Sequence, residues 1–323
     1  MNLCNMEWKK LGQIFNPNEY EVKGKRLEFA QSPQVVCFDT YVRIYFSTRI
    51  RDVSGKYLSL IAYVDYNPDF SEIIKVSQHE IIPLGNLGCY DEHGIFPLNL
   101  LKTDKEILGF IGGWNRRISV MIDGAIGLAK SYDNGETFHR VGEGPILGPN
   151  IHEPFLIADP FVLKINDLYY MWYIFGNRWV ICEKYKKPER IYKIGYATSK
   201  DCINWNRSGK FIINELFQNE ECQALPTVVK IDGRYHMYFC FRYSTDFRNK
   251  ERGYKLGHAY SDNLTDWIRD DNYLNIYKSI NTDDWDSEMI CYPHAFDLSG
   301  QTYMLYNGNE FGKNGFGLAQ LIK

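Results

Sequence analysis

Carboxylates recur at fixed places beside five prolines. Glu28, Glu92, Glu221 and Glu288 each stand five residues before a proline, at Pro33, Pro97, Pro226 and Pro293. At the remaining proline, Pro160, the place five before is Phe155, and Asp159 directly precedes the ring. Carboxyl groups crowded together repel when ionised, so some keep their protons to higher pH. A carboxyl group tuned in that way can serve as a general acid. The pattern therefore points to acid chemistry in one pocket, if the fold brings these entries together.

The elements that would do so are strands. Ala158-Asp159-Pro160 leads into Phe161-Val162-Leu163-Lys164-Ile165, a turn at Asn166-Asp167, and the aromatic run Leu168-Tyr169-Tyr170-Met171-Trp172-Tyr173. That reads as strand, tight turn, strand. The same order follows Pro33, Pro97, Pro226 and Pro293, and the prolines are 64, 63, 66 and 67 residues apart. A near-constant period across the chain is the mark of a repeat architecture. Each hairpin is followed by a third strand, such as Lys193-Ile194-Gly195-Tyr196-Ala197. A polar tip and a short fourth strand come next. The tip at residues 131–138 resembles the Asp-box of sialidase-type propellers, with Asp133 forming the turn.

The expectation is an all-β chain, 1–323, forming a single five-bladed β-propeller of four-stranded antiparallel blades. The last repeat lacks a fourth strand, and Trp8-Lys9-Lys10 carries the fourth-strand signature of an aromatic with a basic residue two positions on. Phe138 and Arg140, Trp205 and Arg207, and Trp267 and Arg269 show the same signature. Residues 6–15 are thus expected to close the last blade and protect a sheet edge.

In such an architecture the entry to the first strand and the loop between the second and third strands open on one face. The turn aspartates 39, 104, 167, 232 and 297 lie on the other. The functional face then carries Asp91, Glu92 and His93 at one entry and His294 at another. Trp114, Arg116, Asn177, Arg178, Arg242 and Asn309 come from the loops after second strands. Aromatic rings beside Asn, Arg and carboxylates suit a sugar, whose apolar face stacks while polar groups bind hydroxyls.

Composition narrows the partners. A formal net charge of −3 over 323 residues gives no global attraction to nucleic acid or anionic membrane. The basic stretch from Lys184 to Arg190 reads as a solvated loop. No apolar run is long enough for a membrane span. The first eight residues lack the basic and apolar regions of a signal peptide. Eight cysteines without a CxxC spacing read as reduced thiols in a cytoplasmic protein, and no metal or other cofactor is expected.

The chain resembles the five-bladed propeller glycosidases of the arabinanase, levansucrase and invertase superfamily, which spans glycoside hydrolase families 32, 43, 68 and 130. Ala158-Asp159-Pro160 is similar to the third-blade Arg-Asp-Pro, whose Asp stabilises the transition state or tunes the acid. Glu221-Cys222 is similar to the fourth-blade Glu-Cys of invertases, whose Glu is the general acid. The first blade departs, with Ser32 where the family places an Asp. The resemblance implies Glu221 as proton donor and Asp159 as its orienting or charge-stabilising partner. Glu92 is the candidate second carboxylate because Asp91-Glu92-His93-Gly94 is the densest polar entry, and Glu28, Asp91, His93, Trp114, Arg116, Asn177, Arg178, Arg242, Glu288, His294 and Asn309 are the candidate substrate contacts of the same face. The substrate would be a small sugar or oligosaccharide. Hydrolysis, phosphorolysis and transfer stay open, since family 130 phosphorylases use one protein acid and let phosphate attack; Arg49, Arg116, Arg178, Arg242, His93 and His294 are the basic residues that could hold that phosphate here. A non-catalytic sugar-binding propeller and a role in surface-glycan biosynthesis stay open beside them.

Overall fold

The computed structural model describes residues 6–22 and 25–322; Cys4 lies outside the described residues. Alternating apolar positions give strands almost throughout, arranged in antiparallel four-stranded units. Three are separate sheets. One joins Ile157–Ile165, Leu168–Cys182, Lys187–Ser199 and Asn206–Arg207. A second joins Glu221–Ile231, Arg234–Tyr243, Lys255–Ser261 and Ile268–Arg269. A third joins Cys291–Leu298, Gln301–Asn307 and Phe316–Ile322 to the N-terminal strand Glu7–Phe15. Glu21–Val22 pairs with Lys25–Arg26 in a two-stranded sheet, and an eight-stranded sheet holds the rest. Its halves, Glu28–Cys37 through Ile73–Val76 and Gly94–Lys102 through His139–Arg140, meet only at the parallel pair Ser59 and Gly94. The first strand of each unit packs against the first strand of the next, and Cys291–Leu298 packs back on Glu28–Cys37.

The recurrent proline marks a β-bulge. Registers slip by one residue between Gln31 and Gln34, Ile95 and Leu98, Ala158 and Phe161, Ala224 and Thr227, and Cys291 and His294. Proline lacks an N–H, so a bulge is where a paired strand tolerates it. The residue before it takes a left-handed backbone in Ser32 (φ 51°), Asp159 (φ 53°), Leu225 (φ 49°) and Tyr292 (φ 55°), while Phe96–Pro97 is a cis peptide. Left-handed φ is uncommon outside glycine, and such strain clusters at functional sites. The bulge thus re-aims the side chain that precedes each proline.

Below the bulges, side chains stitch neighbouring first strands together. Asn99 donates to Gln34 Oε1 (2.9 Å) and accepts from Val162 N (2.9 Å). Thr227 exchanges hydrogen bonds with the backbone of Ala295. Between units the core is apolar and aromatic, with Trp172, Met237 and Phe239 fully buried in one cluster and Tyr45, Tyr63 and Ile111 in another. The tip at residues 131–138 is a turn, as expected. Asp133 accepts from Thr137 N (3.0 Å) and Ser131 Oγ (2.7 Å), and Phe138 is buried against Tyr45 at 6.0 Å. No helix among the described residues is long and apolar enough to cross a membrane.

Candidate functional site

Three of the bulge residues, Phe96, Asp159 and Tyr292, line one cavity of about 290 Å³. Second strands and the loops after them add Arg49, Trp114 and Arg248. Third strands and their approaches add Tyr57, Asp123, Arg190, Tyr192 and Tyr254. The cavity thus opens at the end where units are entered and where second strands turn into third strands.

Asp159 is its buried acid. Oδ2 accepts from Leu225 N (3.1 Å), the bulge residue of the next unit, and Oδ1 has no hydrogen-bond partner among the described residues. Burial pushes the carboxyl up to about 7, against the opposing pull of Leu225 N and of the positive charge on Arg190. A carboxyl poised there holds a proton near neutrality and can give it up, as a general acid must. Cations surround it. Arg49 donates to Gln31 Oε1 (2.8 Å) with its guanidinium 4.9 Å from the Phe29 ring, and burial lowers its pKa. Arg190 lies 3.7 Å from Glu189, and Arg248 projects from the exposed loop behind Phe247. Behind the wall, Arg242 donates to the hydroxyl of Tyr192 (2.9 Å), which shares a hydrogen bond with Tyr254 (2.8 Å). The second carboxylate of the cavity, Asp123, is already held by Arg117 (2.5 Å) and by Gly124 N (2.9 Å). Among the described residues no cluster of three His, Cys, Asp or Glu side chains suits a metal ion.

Of the residues expected from sequence, Asp159, Trp114 and the phosphate-binding candidate Arg49 line this cavity. Glu221 does not line it: the side chain is fully buried and bound by Arg269 (2.7 Å), Leu216 N (2.8 Å) and Gln223 (2.8 Å). The same lock recurs elsewhere. Asp91 binds Arg140 (3.0 Å), Glu153 binds Arg207 (2.9 Å) and Asp286 binds Lys10 (2.5 Å); all four carboxylates are at most 2% exposed. In each, an acid at the unit's entry meets the basic residue of its fourth strand. Asp91 thus stands in this lock and not in the cavity wall, and Glu153 and Asp286 complete a pattern that sequence reasoning missed. The basic half of that lock was visible in the sequence.

The other expected residues lie outside the cavity wall and have partners of their own, some of which line it. Glu92 accepts from Gly88 N (2.9 Å) beside His93, whose ring stacks on Trp114 at 6.1 Å and whose pKa is lowered by burial and then by Arg116. Glu28 accepts from Tyr57 (3.0 Å), and Glu288 pairs with Lys250. Arg116 is engaged by Asp52 (2.7 Å) and Tyr57 O (2.7 Å). Asn177 and Arg178 are exposed, the latter on Asn219 O (2.7 Å). Asn309 braces a loop by accepting from Glu288 N (2.7 Å). His294 is buried, accepts from Val35 N (3.2 Å), and lines a different cavity. The expected convergence of five carboxylates gives way to one buried acid among arginines and aromatic rings.

No family model matches the chain. The β-1,2-mannobiose phosphorylase of Listeria innocua superposes with a TM-score of 0.69 at 12% identity, over 98% of this chain and 96% of that one. The 1,2-β-oligomannan phosphorylase of Thermoanaerobacter sp. (strain X514) is 28% identical over 183 residues, 56% of this chain and 50% of that protein. The fold is that of the propeller glycosidase superfamily, whose members similar to this chain include glycoside phosphorylases and hydrolases. Within it, at 30% identity over 317 residues, 98% of this chain and 99% of its relative, the chain belongs to the family of the uncharacterized protein MT1551 of Mycobacterium tuberculosis (strain CDC 1551 / Oshkosh).

Proposed function

We propose that the chain is a single-domain, five-bladed propeller, closed by its N-terminal strand, that phosphorolyses a β-mannosidic bond. Asp159 is the proton donor, and Arg49, Arg190 and Arg248 hold the phosphate. Phe96, Trp114 and Tyr292 form the sugar's apolar walls. The reading rests on one observation: a buried carboxyl with a pKa of about 7 faces a cavity rich in arginine, while the second carboxylate there is committed to Arg117. Hydrolysis needs a carboxylate pair across the scissile bond. Phosphorolysis needs one acid and an anion site, and arginine forks match phosphate oxygens. A phosphate oxygen would form the new bond to the anomeric carbon as the glycosidic C–O bond breaks. The leaving oxygen takes the Asp159 proton, and the product is a sugar 1-phosphate. The relatives' names supply the sugar class. The seven cysteines among the described residues are free, which suits a reducing, phosphate-rich cytoplasm.

The test is incubation of the purified protein with 1,2-β-mannobiose and inorganic phosphate, reading mannose 1-phosphate. Asp159→Asn is expected to lower kcat by about 10² or more. Release of mannose at the same rate without phosphate would overturn phosphorolysis. Sugar binding with no turnover in either protein would leave a binding module.

A further inference from the structure

A second cavity of about 440 Å³ adjoins the first and shares Ile122, Asp123 and Leu156 with it. The remainder of its wall comes from Ile118, Val120, Pro154, Phe155 and Trp179, with Ser119 and Arg117. Its two charged groups, Arg117 and Asp123, bond to each other at 2.5 Å, and seven of the ten lining residues are apolar. A sugar subsite needs polar groups placed to hold those hydroxyls. An aliphatic chain needs apolar surface alone, which this groove has.

The surrounding surface has the same character. The five most exposed large apolar side chains among the described residues are Val53, Ile118, Ile280, Leu87 and Ile151, at 89–110% relative exposure. Val53 and Ile118 lie between second and third strands; Leu87, Ile151 and Ile280 lie in links from one unit to the next. In antiparallel units both kinds of loop stand at the same end, the end where the cavity with Asp159 opens. Isolated exposed aliphatics are ordinary; Ile118 differs from the other four in that it also lines the groove beside Asp159's cavity.

We infer that the groove takes an apolar leaving group, so that the sugar cleaved at Asp159 is carried on a lipid or another long-chain alcohol. This rests on the proposed cleavage reading. The glycone occupies the first cavity. The glycosidic oxygen lies near Asp159, and the chain runs past Leu156 and Ile122 along Trp179 and Ile118.

The experiment compares methyl and octyl β-mannosides below the concentration at which the latter aggregates. Binding is measured by calorimetry on the Asp159→Asn protein, and turnover on the unmodified protein. Burial of several methylenes is expected to tighten binding of the octyl compound by about tenfold or more. Ile118→Ser combined with Trp179→Ser is expected to remove most of that gain. Ile118→Ser alone, at a fully exposed position, should remove part of it without risk to folding. Equal affinity for the two glycosides, or an undiminished gain in the double variant, would overturn the inference. Octyl binding that depends on Trp179 and Ile118, with no turnover of any glycoside, upholds the groove and rejects the cleavage reading instead.

Discussion

Asp159 and Glu221 are both carboxyl groups withdrawn from water, and their partners separate their roles. Glu221 has a guanidinium, an amide and a backbone N–H; Asp159 has one backbone N–H and an open oxygen. The difference predicts opposite phenotypes. The native state holds the Asp159 proton to about pH 7, the unfolded chain only to the ordinary carboxylate range. Between those limits the native state binds more protons, so this group's stability is fully present below the lower value and lost as pH rises through about 7. Asp159→Asn should match the parent in thermal unfolding at pH 4 and exceed it at pH 8, by at most about 4 kcal/mol, with little activity. Parent turnover should decline on the alkaline side with an apparent value near 7. Glu221→Gln should do the reverse. It weakens the charge-assisted bond to Arg269 and costs about 1–3 kcal/mol in denaturant unfolding. Arg269 keeps Asp271 at 2.9 Å, so the fold survives and turnover per folded molecule is retained. A tenfold loss of kcat in folded Glu221→Gln would return the acid role to Glu221.

At the scale of strands and loops, the repeat was legible because one local device recurs: a proline that a ladder accepts only at a bulge. Its period exposed each first strand, and Asp159 stood out as the acid held at one such bulge. Pairing across units was not legible. Glu136, in the tip of the second unit, accepts from Arg43 (2.9 Å), Lys75 (2.9 Å) and Tyr63 (2.5 Å) of the first, and nothing local in the sequence links them. Arg248, Tyr192 and Tyr254 were missed for the same reason, since they reach the cavity from a third strand and loops whose aim is set by packing; Arg190, expected in a solvated loop, lies in the strand Lys187–Ser199 and lines the cavity. The pairing of Glu221 was not legible either: it shares its place before the proline with three other glutamates, while its partner Arg269 follows Trp267 by two residues. The Glu136 junction is testable. Burial raises its carboxyl, but hydrogen bonds from Tyr63, Lys75 and Arg43 win and hold it at about 2. A depressed carboxylate contributes stability above its unfolded value and loses it as pH falls toward the folded one. Glu136→Gln should therefore cost about 1–3 kcal/mol at pH 7, discounted for a partly exposed side chain, and progressively less toward pH 2. Urea unfolding of both proteins at pH 7 and pH 3 measures the difference.

Across the whole molecule, the strand Glu7–Phe15 joins the two ends of the chain. It pairs with Phe316–Ile322, setting Trp8 opposite Leu321 and Lys10 opposite Ala319. Its side chains then lock it. Trp8 is buried edge-on to Tyr238 at 5.3 Å, Lys10 reaches Asp286 at 2.5 Å, and Phe15 stacks on Phe316 at 5.3 Å. Close approach is built in at Gly315 (φ 99°), where a Cβ would lie 1.9 Å from Phe15 O, so any other residue there forces the strands apart. The fourth-strand signature in Trp8 and Lys10 made this closure readable, because each residue keeps the job its counterparts have: the aromatic packs between units and the base takes the entry carboxylate. Closure of this kind sets contacts of the longest possible sequence separation, which form late and leave strand edges open until they do. A chain shortened to begin at Asn16 should expose the outer edge of Phe316–Ile322, strand Asp286 without its lysine, and aggregate or unfold without cooperativity. Supplying residues 1–15 as a separate peptide should restore a cooperative transition at a midpoint that rises with peptide concentration, as binding to the folded state requires. Trp8→Ala in the full chain tests packing alone and should cost about 3–5 kcal/mol. A shortened chain that stays monomeric with an unchanged melting temperature would show that the units hold together without the closing strand.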